Sequence, residues 1–177
     1  MLYLIASLVS LLVPASASSP GVRIAAPTGP VYELKLYHTH TNERLDIVYR
    51  HGDTYDPVAL RKLEYFLRDH RTGEVHPYDP RVFDLLHDLV RATGRPNEEI
   101  NVVCGYRTPW SNAFLRSRSS AVAKHSLHMQ AMAIDIRLPG VATPALRDAA
   151  LRLHRGGVGY YAREQFVHVD VGRVRRW

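Results

Sequence analysis

Two apolar segments carry ionisable side chains where burial is expected, and they constrain the chain most tightly. AMAIDIRL, from Ala131 to Leu138, holds Asp135, and FVHVDV, from Phe166 to Val171, holds His168 and Asp170. Both read as β-strands, since β-branched and small apolar residues run through them. Asp135 sits between Ile134 and Ile136, so strand alternation points it to the opposite face from those two isoleucines. A carboxylate in such a segment is costly unless it is paired or bound to a metal. His128 stands seven positions before Asp135, and it reaches the same point if the chain turns over Met129 to Ala131. His168 brings a second imidazole. Two nitrogens and one carboxylate oxygen on adjacent strands make a three-donor tetrahedral set with one position open. That is the layout of a catalytic zinc site, because a structural site fills the fourth position with protein. Imidazole and carboxylate donors in a chain with one cysteine favour Zn2+ over softer chemistry.

The rest of the chain bounds where such a site could work. A length of 177 residues suits one domain with a sizeable core. Residues 1–17, MLYLIASLVSLLVPASA, carry no charge and end in the small-x-small pattern Ala15-Ser16-Ala17, which reads as a secretory signal peptide. The apolar run from Leu2 to Val13 spans 12 residues, short of the roughly 20 needed to cross a bilayer. Residues 18–30, rich in Ser, Gly, Ala and Pro, read as a disordered leader, leaving 31–177 as the domain that carries the candidate zinc site. No cysteine follows the apolar run, and Cys104 has no partner for an internal disulfide. The expected product is therefore exported to the periplasm or cell envelope without a stable membrane anchor. Its net charge of +6 calls for an acidic partner. The basic residues are scattered and have no aromatic ladder among them, which favours an anionic polymer of the envelope over nucleic acid.

Alternation on both sides of Thr41-Asn42 predicts a β-hairpin in VYELKLYHTHTNERLDIVYR. His38 and His40 are read as its solvated end, because a metal pair there would lack a third ligand. Asp56-Pro57 and Asp79-Pro80 announce two helices, with apolar stripes at Leu60, Leu63 and Leu67 and at Val82, Leu85, Leu86 and Leu89. Gly94 closes the second. His70 and His87 beside these helices read as structural or surface residues. INVVCGYRT gives a strand ending at Gly105. Thr143-Pro144 opens a helix that stops at Gly156-Gly157, with His154 in its last turn. VGYY and QFVHVDV form a closing pair across AREQ. Helices early and antiparallel strands late predict a single α+β domain. In it, an antiparallel sheet carries the zinc site, helices pack on the sheet, and the hairpin precedes it.

The pattern Ser126-x-His128-x-x-Ala131-x-Ala133-x-Asp135 resembles the S-x-H-x-x-G-x-A-x-D signature of the D-Ala-D-Ala zinc metallopeptidases. That superfamily includes VanX-type dipeptidases, phage endolysins and the hedgehog fold. Within it, THTNE, LRDHRTGEVHPYDP, GYRT, GGVGYY and FVHVD, in that order, make the chain from Tyr32 to Trp177 similar to the MepK-type murein endopeptidases. The resemblance implies zinc ligands at His128, Asp135 and His168, peptidoglycan stems as substrate, and Arg107 of GYRT pointing into the site. Ala131 stands where the family usually has glycine, which would strain the backbone if that position needs positive φ. Cys104 replaces a common serine, a small-for-small change. His125 reads as an exposed loop residue.

Zinc-dependent hydrolysis of peptide cross-links in peptidoglycan is the function this implies, by a monomer, with Arg107 stabilising the oxyanion. The family likeness leans towards the diaminopimelate-diaminopimelate link, with D-alanine-diaminopimelate second. A general base is also required. Relatives often place an acid three residues before the third ligand, where this chain has Gln165. Asp170 and Glu164 remain, and on a strand both would share a face with His168. Asp170 is the nearer candidate base, with orientation of the His168 ring as its competing role. Glu164 is the second. Two other functions fit the same residues: a D-alanyl carboxypeptidase, and a peptidoglycan-binding module without turnover.

Overall fold

The computed structural model describes residues 29–120 and 122–177, so the expected signal peptide and nearly all of the leader lie outside the described residues. The domain opens with the predicted hairpin, β1 (Val31–His38) and β2 (Arg44–His51), turning through Asn42 at φ 60°. A short β3 (Thr54–Tyr55) and two helices follow, α1 (Pro57–Phe66) and α2 (Arg81–Ala92). Next come β4 (Ile100–Cys104), α3 (Pro109–Arg116), a 3-10 turn (Leu127–Gln130) and β5 (Ala133–Arg137). The chain finishes with α4 (Thr143–Leu153), β6 (Gly157–Tyr161), β7 (Phe166–Asp170) and β8 (Arg175–Arg176).

All eight strands join one sheet in the order β3-β2-β1-β4-β5-β7-β6-β8. The α+β class is as expected, but the sheet is mixed rather than antiparallel throughout. β1 runs parallel to β4 and β6 parallel to β8. The hairpin is thus an integral wing of the sheet, because both helices between β2 and β4 carry the chain back across it. Leu63, Leu67, Leu86 and Leu89 are each fully buried against the sheet, at about 1.5–3 kcal/mol for each such side chain. Ile134 and Ile136 face this core, so Asp135 faces the other side of the sheet.

Asp56 caps α1 as its sequence demands, accepting a hydrogen bond from the Val58 N–H at 2.7 Å. Gly94 ends α2 at φ 75°. Four local expectations change. α2 starts after Pro80, with Asp79 accepting from the Arg81 N–H at 3.0 Å. α4 stops at Leu153, because His154 itself takes the left-handed C-cap at φ 52°, which frees Gly157 for β6. α3 has no counterpart in the sequence reading; its start is set by Thr108, whose hydroxyl accepts from the Ser111 N–H at 3.1 Å.

The fourth is His38, which is fully buried rather than solvated. Its Nδ1 accepts from the His40 and Thr41 N–H groups at 3.3 and 3.4 Å, so its ring is part of the hairpin turn. His70 and His87 also have partners. The His70 ring stacks on His40, and His87 lies against Tyr32 with Nδ1 3.3 Å from the Glu33 carbonyl.

Candidate metal centre

Strand register assembles the site. Cys104 on β4 pairs with Asp135 on β5, Asp135 pairs with His168 on β7, and His168 pairs with Gly159 on β6. Four strands therefore present one cross-sheet row on the face away from the helices. His128 joins it from the 3-10 turn rather than from a strand. The turn is opened by Ser126, whose hydroxyl accepts from the His128 N–H at 3.4 Å, and closed by Ala131 at φ 50°. The chain does reverse over Met129 to Ala131, and the alanine occupies the left-handed conformation that favours glycine, at a cost of about 1–2 kcal/mol.

The three predicted donors converge. Asp135 Oδ1 lies 3.1 Å from His128 Nε2 and 2.9 Å from His168 Nδ1, and the two nitrogens are 3.1 Å apart. Their outer nitrogens fix the tautomers. His128 Nδ1 is 2.8 Å from the Gly105 carbonyl, which can only accept, so the proton belongs on Nδ1 and the Nε2 lone pair faces inward. His168 Nε2 is 3.1 Å from Asp170 Oδ2, so that nitrogen carries the proton and Nδ1 faces inward. Two lone pairs and a carboxylate oxygen meeting at this distance need a cation between them. Burial alone would push the His128 imidazole down, but Asp135 outweighs it and the pKa rises to about 10. Asp135 itself is pushed up by burial, yet His128 and His168 hold it well below the usual carboxylate range.

Cys104 is a further side chain that could offer a donor atom, and the sequence reading did not bring it to the site. Its Sγ and donor atoms of His128 and Asp135 all lie within 4.8 Å of one another. Its register opposite Asp135 was the signal, but the pairing of β4 with β5 could not be read locally. Two donor triads thus share His128 and Asp135, one completed by His168 and the other by Cys104. The His168 triad is the tighter, with every pair within 3.1 Å.

Asp170 and Glu164 do not share a face. Tyr161 pairs with Phe166, so Glu164 lies in the intervening loop, where Gln165 at φ 58° breaks the alternation. Asp170 is fully buried, and both oxygens are occupied. Oδ1 accepts from the Gly157 and Gly172 N–H groups at 2.9 Å each and from Arg175 Nη1 at 3.1 Å. Oδ2 faces His168 Nε2 and accepts from Arg175 Nη2 at 2.7 Å. Burial would raise its pKa, but His168 and Arg175 outweigh this and hold it well below the usual range. Glu164 instead lines a cleft of about 430 Å³ that also contains Arg107 and the donor set. His125 is exposed at the same cleft.

Arg107 is aimed from behind by GYRT and LRDH together. Asp69 is buried and accepts from both the Thr108 N–H and its hydroxyl at 2.8 Å, fixing the start of α3. Asn112 on α3 accepts from Arg107 Nη1 at 3.3 Å. Arg107 Nη2 then lies 3.8 Å from Asp135 Oδ2 and 3.4 Å from Cys104 Sγ, while its buried Nε has no hydrogen-bond partner among the described residues. Gly105 lets this segment pack directly on the chain at the end of α1, since a Cβ there would stand 2.5 Å from the Leu67 carbonyl oxygen.

The chain is similar to known proteins. A family profile described as peptidoglycan L,D-endopeptidase MepK, of the Peptidase_M15_2 group, matches residues 26–177. A Haemophilus influenzae protein named probable peptidoglycan L,D-endopeptidase MepK is 41% identical over 144 residues, covering 81% of this chain and 77% of that protein. The peptidoglycan L,D-endopeptidase MepK of Escherichia coli K12 is 39% identical over 144 residues, covering 81% of this chain and 79% of its own.

Proposed function

The chain belongs to the peptidoglycan L,D-endopeptidase MepK family, and from that membership we propose that its cleft hydrolyses peptide cross-links of peptidoglycan at a zinc ion held by His128, Asp135 and His168. The chain is a metallopeptidase of the cell wall. The observation that carries the zinc reading is the inward convergence of His128 Nε2, His168 Nδ1 and Asp135 Oδ1, with both outer imidazole nitrogens already committed. This fits a three-ligand zinc site of imidazole and carboxylate donors. Zinc bound there supplies Lewis acidity, polarising a carbonyl and drawing the pKa of water towards about 7.

The chain's own residues do the rest. Asp170 holds the His168 ring and its tautomer; with five hydrogen-bond donors on its two oxygens it is a positioning group rather than a mobile base. Glu164, in the cleft with no hydrogen bond to its carboxylate among the described residues, takes the proton from the attacking water and returns it to the leaving amine. Arg107 directs its guanidinium to the developing oxyanion. The scissile bond is the diaminopimelate-diaminopimelate link, whose two residues meet as an L-configured acyl group and a D-configured amine. Cleavage of residues 1–17 delivers a periplasmic monomer without a membrane anchor. No described helix is long and apolar enough to cross a membrane.

Digestion of purified sacculi with the zinc-loaded protein tests this reading. Cross-linked dimers should fall to monomers. Shortened stems with dimers intact would make it a carboxypeptidase, and an unchanged muropeptide profile with co-sedimentation would make it a binding module. Glu164→Gln should retain zinc and lose about 10²-fold or more in turnover; normal turnover would remove Glu164 from the reaction.

A further inference from the structure

The cleft has a second polar wall that the chemistry above leaves unused. His40, from the hairpin turn, and His70 and Arg71, from the loop after α1, line the same cavity as the donor set. The His40 and His70 rings are stacked, 4.1 Å between centroids and 11° from parallel. Arg71 is exposed, and its guanidinium has no carboxylate partner among the described residues. The acid nearest in sequence, Asp69, is spent elsewhere. Its Oδ1 accepts from the Arg71 N–H at 2.9 Å and its Oδ2 from Thr108. Glu43 is likewise committed to Arg68.

We propose that His40, His70 and Arg71 form an anion-binding subsite that receives a free carboxylate of the cross-linked peptide stem. This rests on the peptidoglycan reading and names the group that the cleft recognises. A cross-link between two diaminopimelate residues leaves free carboxylates close to the scissile amide, and a planar guanidinium is the side chain suited to binding one with two parallel hydrogen bonds. His70 contributes as a neutral donor, and His40 holds its ring in place by stacking. Burial, followed by Arg71, pushes His70 down to about 4 and lowers His40, so near neutral pH the positive charge of the wall resides on Arg71. Their stacking fixes two rings at the cavity surface: the single N–H of neutral His40 is turned to the Val103 backbone carbonyl, and neutral His70, held against that ring, offers its one N–H without needing to be charged.

The test uses two soluble cross-linked muropeptide dimers, one with free diaminopimelate carboxylates and one with them amidated. Binding to the mature protein is measured by calorimetry with chelator present to silence turnover, and cleavage is measured separately with zinc. The wild type should bind the carboxylate dimer about 10-fold more tightly than the amidated one, the size expected for a charge-assisted pair. Arg71→Gln should abolish that preference while keeping kcat for the carboxylate dimer and raising its KM. The substitution leaves the backbone bond to Asp69 in place, so the fold is retained. Equal binding of the two dimers by the wild type, or an undiminished preference in Arg71→Gln, overturns the subsite. If the preference holds but zinc-loaded wild type cleaves neither dimer, the subsite stands and the hydrolytic reading falls.

Discussion

Replacing Asp170 with asparagine sets five hydrogen-bond donors against a group with one acceptor oxygen. If the amide oxygen takes the Oδ1 position, it keeps Gly157, Gly172 and Arg175 Nη1, and its NH2 faces His168 Nε2 and Arg175 Nη2. Donor then opposes donor. Arg175 is partly exposed and can turn to water, but His168 can relieve the clash only by moving its ring proton to Nδ1, the atom that faces Asp135. That occupies the lone pair a metal needs. The opposite amide orientation keeps His168 and leaves the buried Gly157 N–H and the half-buried Gly172 N–H unpaired. Each orphaned buried group costs about 1–3 kcal/mol, so Asp170→Asn should destabilise the metal-free domain by about 2–4 kcal/mol. It should also weaken zinc binding by about 10- to 100-fold, the usual cost of losing the partner that orients a ligand. Competition against a chromogenic chelator reads the affinity, and denaturant unfolding reads the stability. Wild-type zinc affinity combined with a loss of about 10²-fold in turnover would refute this reasoning and return Asp170 to the role of general base.

Three further outcomes are expected. Arg107→Ala should retain zinc and lose about 10²- to 10³-fold in kcat, as when one oxyanion donor is removed; unchanged turnover in a muropeptide assay would reduce Arg107 to an ion pair with Asp135. Cobalt-substituted protein should show tetrahedral visible bands without a sulfur-to-metal band in the near ultraviolet, identically in Cys104→Ser, because His168 completes the tighter triad; a strong near-ultraviolet band lost in Cys104→Ser would put the thiolate in the donor set. His38, facing His40, His70, Glu43 and Arg68, has its pKa pushed down to about 4 chiefly by burial. Between that value and 6.5 the unfolded chain binds the extra proton, so stability should fall as pH drops through this window, by up to about 3 kcal/mol for His38 alone. His38→Asn, whose Oδ1 can replace Nδ1 as acceptor in the turn, should flatten the pH dependence in denaturant titrations. An unflattened curve would exclude His38 as its source.

What the sequence made legible was whatever burial makes costly. Asp135 among isoleucines and His168 among valines announce themselves, because ionisable groups in apolar strands require partners. Asp-Pro pairs and Gly94 announce helix ends by local backbone chemistry. The parallel pairing of β1 with β4 is different: alternation assigns a face and says nothing of the neighbour, and both early helices lie between these strands. The closeness of Cys104 to His128 and Asp135 was not legible for that reason, since it depends on β4 meeting β5. α3 was missed because PWSNAFLR buries polar Ser111 and Asn112 while Trp110 is exposed, and because its start depends on Asp69 fixing Thr108 from a distant loop. Asp170 was placed correctly beside His168, but its saturation by Arg175 and two glycines is a property of the finished fold.

The cross-sheet row of Cys104, Asp135, His168 and Gly159 also determines what a misfolded copy can do. His128 and His168 are separated by 40 positions and meet only through the pairing of β5 with β7. A slip of one residue in that pairing would offer Val167 or Val169 to Asp135 in place of an imidazole. An enzyme that cuts the polymer holding a cell against its own turgor is dangerous when uncontrolled. Here an error in assembly removes the cutting edge, so the protein fails safe.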